Sequence, residues 1–250
     1  MRLVIKIGTS LIAPAGRIDT QQLRSLVDQL ELPHHEFLIV SSGAIASGIL
    51  NLGLEEKPTN VPLMQACAAV GQSALMHIYE QLFFGKKTVA QLLLSSDDFT
   101  SPARYRNLQN TLHQLMRLGV IPIVNENDSV SVRELVGAFG DNDELSALLA
   151  AAVGAQWLLL LTDVDGLYAP NGKRPRLVRT VRNLTPEIEA LCNGQGKLGR
   201  GGMRSKLRAA EMASVAGVNV AIVNGRAPEA IRKALAREIG TYFPPKKKRT

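Results

Sequence analysis

Two lysines and an aspartate, each set beside small or glycine-rich residues, are the groups in this 250-residue chain best suited to chemistry. Lys6 sits inside Ile5-Lys6-Ile7-Gly8-Thr9-Ser10, an otherwise apolar run. A buried ammonium is costly without an anion beside it; the bland alternative is an edge lysine snorkelling to solvent. Gly8 lets the backbone approach a ligand, and Thr9 and Ser10 add hydroxyl and amide donors. Lys206 closes the run Lys197-Leu198-Gly199-Arg200-Gly201-Gly202-Met203-Arg204-Ser205-Lys206. Glycines just before a helix start, with basic side chains at both ends, suit a phosphate chain better than a flexible linker. Asp143 lies in Gly140-Asp141-Asn142-Asp143-Glu144-Leu145-Ser146-Ala147, where helix capping accounts for much of the acidity. Two lysines, an aspartate and glycine loops suggest phosphoryl transfer, which asks for charge neutralisation and in-line positioning rather than covalent chemistry.

Three further loops follow apolar runs. Val40-Ser41-Ser42-Gly43-Ala44 opens a helix whose free amides could hold a carboxylate or phosphate, although tight helix packing also favours Gly and Ala. Val124-Asn125-Glu126-Asn127-Asp128 carries more polar groups than a turn needs and could recognise an ammonium. Leu161-Thr162-Asp163 could meet a nucleotide's ribose or Mg²⁺ side, and Asp165-Gly166 reads as a turn. Neither a Walker A loop nor a G-x-S-x-G elbow is present. His34, His35, His77 and His113 all fall outside these loops and read as surface or packing residues.

These loops must be held by regular elements. Near-continuous apolar runs at Leu3–Ile7, Phe37–Ser41, Thr88–Leu94, Val120–Val124, Trp157–Leu161 and Val218–Val223 predict strands buried on both faces of a mainly parallel sheet. Helical stretches at Thr20–Leu30, Leu63–Phe84, Pro102–Leu118, Asp143–Val153, Met203–Ala216 and Pro228–Glu238 alternate with them. Ser101 is a candidate N-cap, and Gly119 and Gly217 sit where C-terminal glycines belong. Ser129–Phe139 reads as a small antiparallel hairpin and Tyr168–Pro175 as a turn cluster. The fold class is therefore α/β with an open, mostly parallel sheet, whose ligands belong beyond the carboxyl ends of the strands.

Hydrophobic residues make up 46% of the chain and charged ones 20%, which excludes global disorder. The longest apolar candidate for a membrane span, Ala147–Thr162, is broken by Gly154 and Gln156, and no secretory leader is expected. Cys67 and Cys192 have no metal-ligand spacing, so a reducing cytoplasm is the expectation. Charge is uneven: residues 1–172 carry 11 Lys+Arg against 17 Asp+Glu (net −6), and residues 173–250 carry 18 against 5 (net +13). A basic third could serve nucleic acid, an anionic membrane surface, a polyphosphate, or only solvent. Aromatics at 4% and the lack of RNA-module motifs argue against specific nucleic-acid binding. The tail Pro244–Thr250 reads as a basic disordered end.

In order, IKIGTS, VSSGAIASG, AAVGQ (Ala68–Gln72), NENDSV, GDNDELSA, LLLTDVDGLY and GRGGMRSK resemble the amino acid kinase family, and within it the members that phosphorylate glutamate. The resemblance covers residues 1 to about 243, implying one kinase domain over 1–243 and a basic tail over 244–250. It implies a sheet sandwiched between helices and transfer of the ATP γ-phosphoryl to the side-chain carboxylate of L-glutamate, a step of proline biosynthesis. Lys6 and Lys206 would flank the transferring group, and Asp143 would hold both. Ser42 and Gly43 would bind substrate, Asp128 its α-ammonium and Asn142 its carboxylate region. Lys6, Gly8, Thr162, Asp163, Arg200, Gly201, Gly202, Met203, Arg204, Ser205 and Lys206 would hold the nucleotide, with Mg²⁺ carried by ATP. A carboxylate acceptor is already ionised at neutral pH, so no base is required. The resemblance further implies a cytoplasmic homo-oligomer, dimer or tetramer, that hands its labile acyl phosphate to a reductase. Against the pattern of many relatives, no appended PUA domain is expected, the Phe84–Thr88 connection is short, and Arg200 and Arg204 stand where small hydroxyl residues often sit.

Overall fold

The computed structural model describes residues 1–130, 142–172, 174–194 and 202–246. Nine strands occur among them: β1 (Arg2–Ile7), β2 (Glu36–Ser41), β3 (Val89–Leu94), β4 (Ile121–Glu126), β5 (Trp157–Thr162), β6 (Tyr168–Ala169), β7 (Arg176–Leu177), β8 (Asn219–Asn224) and β9 (Thr241–Phe243). The principal helices are α1 (Thr20–Asp28), α2 (Ala44–Asn51), α3 (Val61–Phe83), α4 (Pro102–Arg117), α5 (Asn142–Ala152), α6 (Met203–Val215) and α7 (Ala230–Leu235). Seven strands form one sheet in the order β3-β4-β2-β1-β5-β8-β9, parallel except for β9, which runs antiparallel to β8.

Strand parity builds two cores. Leu3, Ile5 and Ile7 of β1 join Phe37, Ile39, Leu159 and Leu161 on one face, under α1, α3 and α7. Val4 joins Leu38, Val40, Leu158 and Leu160 on the other, under α4, α5 and α6. Continuous apolar strands are the consequence, since neither face meets water. The chain leaves β1 toward β2 over the first face and leaves β5 toward β8 over the second. These connections diverge on either side of the β1–β5 pair, which is where an open parallel sheet leaves a crevice at its carboxyl edge.

The six anticipated long strands are present, each shifted by no more than two residues at either end. Three details differ. β4 runs on to Glu126, two residues past its expected end at Val124, so Asn125 and Glu126 are buried strand residues. The helix read over Pro228–Glu238 is confined to Ala230–Leu235, and β9 follows it unanticipated because its three residues give too short a pattern. The observed hairpin is β6–β7, which flanks the turn cluster at Tyr168–Pro175; the one read over Ser129–Phe139 lies mostly outside the described residues. Gly119 and Gly217 adopt positive φ as helix-ending glycines. Asp19 and Asn60 cap α1 and α3 through their side chains, whereas Ser101 stands at the N-cap of α4 without a capping bond. Among the described residues no helix is long and apolar enough to cross a membrane.

α2 and α3 approach so closely that side chains cannot intervene. A Cβ at Gly71 would stand 1.8 Å from the Ala44 carbonyl oxygen, and one at Gly48 1.8 Å from that of Cys67. Packing therefore explains Gly48, while Gly43, at φ +95°, makes the turn that starts α2. Gly71→Ala should destabilise the protein by about 1–3 kcal/mol through overpacking, read as a lowered melting temperature. An unchanged melting temperature would show that α2 and α3 can separate freely.

Candidate active site

Parity decides where Lys6 points. It shares the face of Val4, and so meets α5 and α6, whose first turns carry Asp143 and Lys206. Lys6 Nζ lies 2.7 Å from Asp143 Oδ1, and Lys206 Nζ lies 3.1 Å from Oδ2. The Ser205 hydroxyl donates to the same Oδ2 at 2.7 Å. Lys6, Asp143 and Lys206 are 4%, 0% and 7% exposed, so this is a desolvated charge cluster and not a surface ion pair. Burial by itself pushes the Asp143 carboxyl up; the Lys6 and Lys206 charges, with hydrogen bonds from Lys6 and Ser205, outweigh it and hold the pKa at about 2. One carboxylate thus fixes two cations that would otherwise repel.

The space beside them is kept open by backbone. Gly8 N donates to the Leu161 carbonyl at 3.1 Å, tying the β1 loop to the end of β5. A Cβ at Gly8 would stand 3.1 Å from that oxygen and 4.0 Å from Lys6 Nζ. Gly8 therefore lies in the crevice that the topology leaves between β1 and β5. Thr162, buried at the end of β5, donates to Asp163 Oδ1 at 3.2 Å, and Asp163 itself is exposed. Gly202 stands at the N-cap of α6, with Met203 and Arg204 in the first turn. Arg200 and Gly201 lie outside the described residues.

On the other side of the lysines a polar chain joins α5, β4, α3 and the loop after β2. The Asn142 side-chain amide donates to Asn125 Oδ1 at 3.0 Å and to Ser42 Oγ at 3.3 Å. Asn125 in turn donates to Gln72 Oε1 at 2.9 Å. Beneath, Ser41 Oγ lies 2.9 Å from the hydroxyl of fully buried Tyr79, whose pKa burial pushes up to about 12. Gln72 Nε2 and Asn142 Oδ1 are buried without a hydrogen-bond partner among the described residues. Buried polar atoms of that kind call for a ligand or water. Gln72 lines a small recess with Ala44, Ala68, Glu126 and Asp128, a donor beside two acids. An α-amino acid has a carboxylate for the first and an ammonium for the second.

The sequence-derived residues thus fall into one region: Lys6, Gly8, Ser42, Gly43, Asp128, Asn142, Asp143, Thr162, Asp163 and Gly202–Lys206 surround the carboxyl ends of β1, β2, β4 and β5. Ser205, expected on the nucleotide, bonds Asp143. Gln72 was legible only as the motif AAVGQ; its signal was a polar residue on the buried stripe of an apolar helix. Among the described residues the histidines stand apart from the cluster, exposed or half-buried.

Known proteins resemble this chain along most of its length. The family described as Amino acid kinase family matches residues 1–224. The glutamate 5-kinase of Clostridium acetobutylicum is 45% identical, the alignment covering 99% of this chain and 96% of that protein. The glutamate 5-kinase of Myxococcus xanthus is 44% identical, over 98% of this chain and 67% of its own length. The fold is also that of an isopentenyl phosphate kinase (TM-score 0.66, 18% identity, 97% of this chain and 100% of the other). A carbamate kinase from Giardia lamblia bound to AMP-PNP aligns comparably (TM-score 0.65, 22% identity, 98% of each chain).

Asp143 has a pH signature. A carboxyl depressed in the folded state contributes stability above its unfolded pKa and loses it as pH falls through the folded one. Between the ordinary value of 3.8 and about 2, the urea midpoint of the wild type should fall. The fall should be shallower in Asp143→Asn, which has no such group to protonate. Equal slopes would show that the carboxylate is not held by its lysines.

Proposed function

The chain belongs to the amino acid kinase family, and we propose that it transfers the γ-phosphoryl group of ATP to the side-chain carboxylate of L-glutamate, giving γ-glutamyl phosphate. The observation that carries this reading is the Lys6–Asp143–Lys206 cluster at the sheet's carboxyl edge. Identity of 45% over nearly the whole length of a glutamate 5-kinase supports the choice of acceptor.

Residues 1–243 act as one kinase domain. The nucleotide lies along the β1–β5 crevice, its phosphates beside Gly8, where no side chain intrudes, and at the start of α6 along Gly202–Lys206, with Arg200 and Gly201 preceding them and Thr162 and Asp163 at its nucleoside side. The acceptor lies between Ser42–Gly43 and Asp128. Asp128 receives the α-ammonium, and Asn142 with Gln72 orients the carboxylate end of the amino acid. Each lysine then flanks the group in flight. Negative charge builds on the transferring phosphoryl oxygens and the leaving oxygen, and two fixed ammonium groups stabilise it without reorganising. The glutamate carboxylate attacks as the anion, so no proton has to be removed. Asp143 is a positioning residue: it keeps two like charges within reach of one reaction centre.

Mg²⁺, when bound, adds charge neutralisation on the ATP phosphates, and the exposed Asp163 carboxylate at the end of β5 is a hard oxygen donor suited to it. The protein works in the cytoplasm as a homo-oligomer, and its acyl phosphate, prone to hydrolysis, passes to a reductase in proline biosynthesis.

ATP-dependent hydroxamate formation from L-glutamate, L-aspartate, N-acetylglutamate and carbamate tests the reading. Signal from L-glutamate alone is expected; signal from another acid alone would move the enzyme elsewhere in its family. Gln72→Leu should raise KM for glutamate about 10- to 100-fold, the worth of one hydrogen bond to a charged group, with KM for ATP unchanged. An unchanged KM for glutamate would remove Gln72 from the substrate site.

A further inference from the structure

The proposed chemistry uses only part of the basic C-terminal third. Three of its other arginines, Arg179, Arg182 and Arg237, converge on an open cleft of about 650 Å³ together with Thr180, Glu238 and Tyr242. Among the described residues none of the three takes part in an ion pair, in contrast to Arg2, Arg104, Arg226 and Arg232. Among the described residues Glu238 is the sole acid lining it, so three guanidinium groups face one carboxylate there.

This cleft is built, not a scatter of surface side chains. The segment through Thr180 is bound along β9: Tyr242 N donates to the Arg179 carbonyl and Val181 N to the Tyr242 carbonyl, both at 2.9 Å. The Arg179 guanidinium donates to the Glu238 carbonyl at 2.9 Å, which fixes its direction. Arg237 takes φ +61°, an uncommon conformation for a residue with a Cβ. That backbone lays its guanidinium 4.2 Å from the Tyr242 ring centroid and 5.8 Å from that of Trp157. Tyr242 is held in turn by its hydroxyl bond to Asn219 at 2.7 Å and by packing on Trp157 at 5.7 Å. Stacking leaves the in-plane N–H groups of a guanidinium available, the fork that matches phosphate oxygens.

We infer that this cleft binds a small phosphate-bearing polyanion at a site separate from the catalytic one. Three guanidiniums against one carboxylate call for more than one negative charge. The volume of this open cleft falls in the range of small-molecule sites, about 300–1,000 Å³, which favours a compact ligand over a polymer. Trp157 opens β5, whereas the catalytic loops lie past its far end, roughly 16 Å away at ~3.3 Å per strand residue. Occupancy of one site therefore leaves the other free.

Trp157 is the only tryptophan in the chain, so intrinsic fluorescence reports this cleft directly. Titration with inorganic tripolyphosphate should give a saturable change that weakens as salt rises. Arg182→Gln, at an exposed residue of the cleft, should weaken the apparent affinity about 10- to 100-fold, the worth of one charge-assisted contact. Lys206→Met should leave the response intact, which separates this site from the catalytic loop. Arg182→Gln should also leave hydroxamate formation from glutamate unchanged, so the inference can fail while the kinase reading stands. No saturable change in the wild type would overturn the inference, as would a response that survives Arg182→Gln or disappears in Lys206→Met. A response to a single-stranded oligonucleotide but not to tripolyphosphate would overturn it too, assigning the face to a polymer.

Discussion

A single buried carboxylate between two ammonium groups sets the terms for the rest of this structure. Burying either lysine alone would be prohibitive, and burying both would add their repulsion. Asp143, fully enclosed and bonded through both oxygens, makes the arrangement tolerable. Breaking a buried pair of this kind costs about 3–5 kcal/mol. For the proposed reaction that cost is useful, because the two cations would be already dehydrated and already aimed when a phosphoryl group arrives.

The fold exists to bring these three side chains together from sequence positions 6, 143 and 206. β1 is central, so its carboxyl end can be reached from either side. The two-residue period of the strand sends Lys6 to the face of α5 and α6. Both helices start at the same edge of the sheet, and each contributes its charge within the first turn. A shift of β1 by one residue would turn Lys6 into the opposite core, among Leu3, Ile5 and Ile7 positions. The glycine contacts between α2 and α3 do similar work on the side proposed for the acceptor, drawing Gln72 and Ser42 toward Asn125 and Asn142.

Much of this was legible in the residues. Apolar runs marked the parallel strands, and Lys6 stood out as the wrong residue for its strand unless an anion lay nearby. Asp143 and Lys206 were recognisable by type and by their glycine neighbours. Their contact was not, since it depends on strand parity and helix placement across 200 residues of chain. Polarity misled at β4, where Asn125 and Glu126 read as strand-terminating yet are buried inside the strand, Asn125 being satisfied by Gln72 and Asn142, both distant in sequence. β9 escaped notice because its stability comes from pairing with β8, not from its own pattern. The basic third resisted interpretation as a count of charges; the structure divides it into Lys206 at the crevice and an arginine cleft at the opposite end of β5.

If Asp143 acts by holding the lysines, its contribution and theirs are one effect. A double-mutant cycle on kcat with Asp143→Asn and Lys206→Met measures this directly. The account predicts strong non-additivity, the double variant being scarcely slower than the slower single variant. Losses that multiply would show that Asp143 and Lys206 act independently, and would contradict the claim that one carboxylate organises the site.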